Sequence, residues 1–170
     1  YPLAAVTQRP MAMYHSWDSQ NAWLRQIHTH NYLFVNPKTA RAAGIEDGGW
    51  MWVESQWGKV RCMCRWSEAV EPATVWTWNA IGKAQGAWQL SADANEARRG
   101  FLLNHLISEE LPHGNGVVSN SDPVTGQAGW YDVRVRIHPA EPDDAQQSFP
   151  QVKAVPAPPG TRVGERVLRY

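Results

Sequence analysis

The sequence predicts a mainly β protein, a small barrel with a few short helices, and three observations carry that prediction. Runs rich in aromatic and β-branched residues recur at short intervals, each bounded by glycine, proline or acidic turn residues. The segments between them are mostly turns, leaving little room for the regular helical crossovers of a doubly wound sheet. Ten tryptophans stand in 170 residues, and broad rings suit the packing of a small barrel or its interface with a partner domain. Stacking on sugars or bases is the alternative use of those rings.

The elements follow in chain order. Residues 2–7 (PLAAVT) form a short apolar run that suits a strand. The stretch after Arg9 mixes turn-formers, hydroxyls and aromatics without a period, so a long loop is expected, with one helical turn near Asp18–Leu24. Tyr32–Val35 is a β-prone run that leads into a well-marked helix. Asn36 is a good N-cap, Pro37 suits the first helical position, and Gly44 supplies a left-handed terminator. WMWVES and KVRCMCRW, joined by Gln56-Trp57-Gly58, read as a hairpin, the second strand alternating Val60, Cys62 and Cys64 with Arg61, Met63 and Arg65. TVWTW is the next strand. A helix is expected over Ala92–Arg99 behind Ser91, and residues 100–108 are ambiguous between helix and loop. HGNGVVSNSDPVTGQAG reads as a long polar connection, and DVRVRI, which alternates strictly, as the last strand.

Composition changes at Pro139. Six prolines fall between Pro139 and Pro159, with little apolar content among them. Residues 139–170 are therefore expected to be a Pro-rich extended or disordered tail, suited to wrapping a neighbour, behind a single domain spanning 1–138. Sixteen basic and sixteen acidic residues cancel, which argues against broad electrostatic binding to nucleic acid or anionic membrane. No apolar stretch is long enough to span a bilayer. The start (YPLAAVTQRP) lacks an initiator Met and the pattern of a secretory signal, so a processed chain or a piece of a longer protein is expected. Cys62 and Cys64 would share one strand face in a geometry poor for a disulfide, so two reduced thiols and a cytoplasmic setting are expected.

The compact catalytic motifs are missing from the sequence: there is no G-x-S-x-G, H-E-x-x-H, Walker loop or G-x-G-x-x-G. His28 and His30 would share a strand face but have no third ligand nearby, so no metal site is expected. From residue chemistry alone, the chain reads as a binder.

One constellation is more specific. VNPKTARAAGIEDGGWMWVESQWGKV runs Asn-Pro, short helix, Gly-Ile, acidic-Gly turn, strand, Gly turn, strand. This closely resembles the carboxy-terminal dinucleotide-binding domain of the dimethyl sulfoxide reductase family of molybdenum and tungsten enzymes. Where that family usually ends the acidic turn in Asp-Gly-Asp, this chain has Asp47-Gly48-Gly49, a structural departure. Thr7-Gln8-Arg9 with Tyr14-His15-Ser16 matches the family's Thr-x-Arg and His-Ser loop, which lies against the pterin. Asn104-x-Leu106-Ile107 corresponds to its Asn-x-Leu-Thr stretch, with Ile107 in place of Thr. Asp122-Pro123-x-Thr125-Gly126 and Trp130-Tyr131 match the residues before the last strand. The similarity covers residues 1 to about 138, and the tryptophans and Pro-rich tail look most like large subunits of sulfite dehydrogenases and of polysulfide or thiosulfate reductases.

The resemblance implies a six-stranded double-psi β-barrel that holds part of a molybdenum or tungsten bis-molybdopterin guanine dinucleotide and covers the active site. It implies an oxidoreductase parent with catalytic residues, metal ligand and any iron–sulfur cluster outside this chain. It also implies as partners the remaining domains of the large subunit, together with iron–sulfur and membrane-anchor subunits. The residues it places at the cofactor are Thr7, Arg9, His15, Ser16, Trp17, Asn104, Trp130 and Tyr131. Their chemistry is suitable: Arg9 offers a fork for phosphate, Thr7 and Ser16 offer hydroxyls, Asn104 can read a purine edge, and the aromatics can cover a ring. The alternatives are a non-catalytic double-psi barrel serving as a protein- or substrate-binding module, a carbohydrate-binding β-module, and a separate small barrel subunit.

Overall fold

The computed structural model describes residues 1–18, 21–79, 81, 99–101, 103–108, 110–114, 116–127, 133–141, 144 and 148–150. In chain order its strands and α-helices are β1 (Leu3–Gln8), α1 (Ala22–Ile27), β2 (Tyr32–Val35), α2 (Pro37–Ala42), β3 (Trp50–Glu54), β4 (Gly58–Trp66), β5 (Thr74–Trp78), β6 (Glu110–His113), β7 (Gly116–Ser119), β8 (Arg134–Pro139) and β9 (Ser148–Pro150). Short 3-10 turns occupy His15–Asp18 and Leu103–Leu106.

Six of these strands close on themselves. The sheet runs β2-β5-β1-β8-β3-β4, and β4 pairs back onto β2, so the expected six-stranded barrel is borne out. Two of the pairings, β1 with β5 and β2 with β4, are parallel, and the rest of the ring is antiparallel. Closure removes the open edges that would otherwise template aggregation.

Alternation fills the interior. Leu3 and Ala5, Leu33 and Val35, Met51 and Val53, and Val60, Cys62 and Cys64 all point inward with Val75 and Val135. Each such aliphatic contributes roughly 1.5–3 kcal/mol on burial. Cys62 and Cys64 are free, buried thiols, as the shared strand face predicts. Burial raises the Cys62 thiol well above its ordinary value, and burial together with the nearby Asp47 pushes Cys64 up to about 12. Neither is a nucleophile at neutral pH.

The helix expected after Asn36 forms as α2. Asn36 Oδ1 accepts from Lys38 N at 2.9 Å, while its buried Nδ2 donates to Val70 O at 2.8 Å and ties the cap to the barrel. Gly44 takes φ +70 beyond its end. The loop ahead of β2 carries two helical pieces, the His15–Asp18 turn and α1, where one turn was expected. The 100–108 ambiguity resolves as the Leu103–Leu106 turn.

The polar connection after residue 108 is not wholly irregular: β6 and β7 form a hairpin around Gly114, which takes φ +56. Pro112 and the polar flanks hide it, since neither strand alternates and proline lacks a ladder donor. The helix expected over Ala92–Arg99 lies outside the described residues, apart from Arg99.

Beyond residue 138 the described residues 139–141, 144 and 148–150 stay on the barrel. Pro139 completes β8, Ala140 N donates to Trp50 O at 3.0 Å, and β9 pairs with Gly58–Val60. Between them, Trp52 Nε1 donates to Asp144 Oδ2 at 2.8 Å, and the Arg61 guanidinium donates to the carbonyls of Asp144 and Glu141.

Candidate functional site

The interior turns polar where β1, β5 and β2 meet. β1 and β5 run in parallel register from Ala4 opposite Thr74 to Gln8 opposite Trp78, so their carboxy ends finish together. Thr7 lies opposite Thr77 at this mouth. The fully buried Thr77 Oγ1 stands 3.0 Å from Asn31 Oδ1 and 2.9 Å from Tyr32 O. Buried Asn31 donates through Nδ2 to Trp78 O at 2.9 Å, and its N–H reaches Arg99 O at 2.7 Å. Asn79 N closes the ring onto Gln8 O at 2.9 Å. The Asn79 Oδ1, although buried, has no hydrogen-bond partner among the described residues. An unmet buried acceptor costs roughly 1–3 kcal/mol, so this atom is suited to take a donor from a ligand.

The loop leaving β1 is pinned from beneath and open above. Pro10 and Met13 are buried, with Met13 N donating to Pro10 O at 3.2 Å. Arg9, Tyr14, His15 and Trp17 are exposed around them. The Arg9 guanidinium lies 5.7 Å over the Tyr14 ring, and Tyr14 meets His15 edge-on at 5.2 Å. Tyr14 N donates to Asp18 Oδ2 at 2.7 Å, which fixes the next turn. His15 sits at φ 49, a left-handed conformation uncommon outside glycine. Strain of this kind concentrates at ligand sites.

The loop leaving β1 therefore carries Thr7, Arg9, His15 and Trp17 at one mouth of the barrel; Ser16 lies in the same turn, its side chain outside the described ones. Asn104 is exposed on the Leu103–Leu106 turn, five residues after Arg99, whose carbonyl accepts from Asn31 N at the polar mouth. Leu106 and Ile107 of this segment line a cavity of about 260 Å³ with Tyr1, Ser55, Trp57 and Val133, at the end where β1 begins. Beside Asn104, His105 Nδ1 is also buried without a partner, and burial lowers its pKa. Trp130 and Tyr131 lie outside the described residues.

Sequence reading missed Asn31, Thr77, Asn79 and His105. Only Thr77 left a signal, as the polar residue at an inward position between Trp76 and Trp78. His28 and His30, considered as metal ligands, serve aromatic contacts instead. His28 meets Trp78 at 5.5 Å, and His30 stacks on Tyr32 at 5.9 Å. Among the described residues no group of His, Cys, Asp and Glu could hold a metal ion, and no helix is long and apolar enough to cross a membrane.

The donor set fits a pterin dinucleotide. The mouth offers a guanidinium, hydroxyls, an amide acceptor without a partner, and open aromatic faces. Phosphate, ring edges and ring faces each find a counterpart there, and no acid stands among the sequence-assigned residues to repel the anion.

A small closed barrel with a polar mouth and no catalytic constellation among its described residues is a cofactor-binding module. The model of the family described as "Molydopterin dinucleotide binding domain" matches residues 3–129, and the chain belongs to that family. It is 68% identical over 162 residues to a sulfite dehydrogenase subunit from Allochromatium vinosum, a match covering 94% of this chain and 17% of that relative. It is 29% identical over 156 residues to dopamine dehydroxylase of Eggerthella lenta, covering 88% of the chain and 14% of that protein. The chain thus spans about a sixth of the length of these curated relatives. The structure of acetylene hydratase from Pelobacter acetylenicus shares the fold, with a TM-score of 0.59 at 18% identity over 82% of this chain and 18% of that one.

Proposed function

We propose that this chain covers one side of the cofactor in a larger molybdenum or tungsten oxidoreductase, holding part of a bis-molybdopterin guanine dinucleotide at the β1 mouth. When bound, that group supplies the redox chemistry at its metal. The chain's own residues bind and orient it. Arg9 presents a fork to a phosphate or pterin oxygen, Thr7 and Ser16 offer hydroxyls, and His15 presents its imidazole from the left-handed turn. Asn79 Oδ1 accepts an N–H or O–H, and the open ring of Trp17 excludes water from a ring face. Asn104, Trp130 and Tyr131 are assigned as further contacts to the same cofactor. The observation that carries this reading is the buried Asn79 acceptor without a partner, placed at the strand ends beside Thr7.

The likeness to a sulfite dehydrogenase supports a small sulfur oxyanion as substrate of the parent enzyme. Its partners are the remaining domains of the large subunit, with iron–sulfur and membrane-anchor subunits. Two reduced, buried thiols support a cytoplasmic setting; recovery of the parent enzyme from the periplasm would overturn that placement.

The test is made in the full-length polypeptide. Arg9→Ala removes a charge-assisted contact worth roughly 1.5–3 kcal/mol, so pterin retention should weaken about tenfold or more. Asn79→Leu should also lower retention, by a smaller factor. Pterin released per polypeptide, read as its fluorescent oxidation product, is the measurement. Wild-type content in both variants would overturn the site.

A further inference from the structure

Backbone of positive φ is uncommon outside glycine, because a Cβ crowds the neighbouring carbonyl there. The described residues that adopt it are Gly44, Gly48, Gly114 and Gly126, and then His15 at φ 49. The glycines end or reverse segments where no side chain is needed. His15 therefore stands where glycine would fit without strain. Its ring is exposed, and the described contact it makes is with the Tyr14 ring, edge-on at 5.2 Å. Strain kept at an exposed imidazole, when glycine would relieve it, points to a ligand for that ring.

The turn that carries His15 is clamped from both sides. Upstream, buried Pro10 and Met13 fix the chain, with Met13 N donating to Pro10 O at 3.2 Å. Downstream, Asn21 Oδ1 caps α1 by accepting from Trp23 N at 3.0 Å and Leu24 N at 3.3 Å. The Asn21 N–H in turn donates to Asp18 O at 2.9 Å, which fixes Asp18 ahead of the helix. From there the Asp18 side chain reaches back, its Oδ2 accepting from Tyr14 N at 2.7 Å, while Trp17 N donates to Tyr14 O at 3.2 Å. Both backbone polar groups of Tyr14 are thus held, and the chain has to turn at His15. The Arg9 guanidinium, over the Tyr14 ring, rests on the same clamped residue.

We propose that Asp18 is a positioning residue for the cofactor: its hydrogen bond from Tyr14 N holds His15 in the left-handed conformation and so aims the imidazole at the group bound at the β1 mouth. The inference rests on the reading of that mouth as the pterin dinucleotide site, and deepens it. Asp18 acts through the backbone and touches no cofactor itself. A free carboxylate beside an anionic dinucleotide would repel it, and here the reaching oxygen is engaged by an N–H. The role needs an acceptor oxygen at this place rather than a charge, so an amide can serve in its stead.

The experiment measures pterin released per full-length polypeptide in Asp18→Ala, Asp18→Asn, His15→Gly and the Asp18→Ala, His15→Gly pair. Asp18→Ala should lose pterin several-fold, whereas Asp18→Asn, which keeps the acceptor, should retain most of it. His15→Gly relaxes the backbone but removes the imidazole, so it should lose pterin as well. In that background Asp18→Ala should cause no further loss, because the ring it positions is gone. Wild-type content in Asp18→Ala or in His15→Gly, an equal loss in Asp18→Asn, or a full additional loss in the pair would each overturn the proposal. Hydrogen exchange at β3 and β4 should match wild type in every variant; protection lost there together with pterin would make Asp18 a general stabiliser and end the positioning role. Arg9→Ala separates the two readings. Pterin lost on Arg9→Ala but kept on Asp18→Ala would leave the site standing and sink the role of Asp18. Pterin kept in both would sink the site itself.

Discussion

The barrel carries tryptophan pairs on two outward faces, Trp50 and Trp52 on β3, Trp76 and Trp78 on β5, and the two have different surroundings. On β3, Lys59 lies 4.4 Å over the Trp52 ring and Arg61 4.7 Å over Trp50. Asp144 then caps Trp52, and β9 pairs alongside on β4. On β5 the rings meet Phe34 and each other, and His28 meets Trp78 at the end of the strand. The strand sequences alone, WMWVE and TVWTW, do not tell these fates apart. The difference lies in what crosses above each strand. Outward tryptophan is thus a demand for cover, met on β3 by the chain's own later residues and on β5 by stacking among neighbouring rings.

That contrast can be broken by removing rings. Trp52→Ala should cost about 3–5 kcal/mol, the usual loss for a buried large aromatic, and should release the clasp at Asp144. Thermal melting and hydrogen exchange at β9 would show it, and a loss below about 1 kcal/mol would mean that the cover is incidental.

A smaller effect is expected from acid. The Trp52 indole N–H first, then the Glu141 N–H, hold the Asp144 carboxyl below the usual carboxylate range. Since the folded pKa is the lower one, this contribution is fully present above the unfolded value of about 3.9 and is lost as pH falls through the folded value. Tryptophan fluorescence on acidification should report release of the clasp. Glu54 is also depressed, chiefly by its hydrogen bonds from Arg136, so Asp144→Asn separates the two. If the acid transition survives unaltered in that variant, Asp144 is not its source.

The smallest effect is expected on the β5 face. Trp76→Ala removes stacked and edge contacts worth roughly 0.5–1.5 kcal/mol each beyond area burial, from a ring less deeply buried than Trp52. Its melting should therefore move less than that of Trp52→Ala. Equal losses would erase the distinction between the two faces.

Much of the barrel was legible in the residues. Asn36, Pro37 and Gly44 specify α2 through local backbone chemistry, and the alternation of β4 placed Val60, Cys62 and Cys64 inside. The β6–β7 hairpin was not legible, because Pro112 and polar neighbours break the period. At the site, Thr7, Arg9, His15, Ser16 and Trp17 could be grouped because their motifs resemble the family's cofactor loop. Asn31, Thr77 and Asn79 could not be joined to them, since register between distant strands brings them together. Asn104, grouped with them by motif, stands on a separate turn.

The sequence by itself determined the closed, mainly β architecture, the capped helix and the binding character of the β1 loop. The first two follow from short-range rules of residue alternation, capping and turn chemistry, and the last from the family resemblance of the loop's motifs. Only the tertiary structure decided which outward tryptophans are covered and that Asn79 keeps a buried acceptor without a partner. Both depend on chain segments far apart in sequence meeting in space, and local sequence patterns do not encode such meetings.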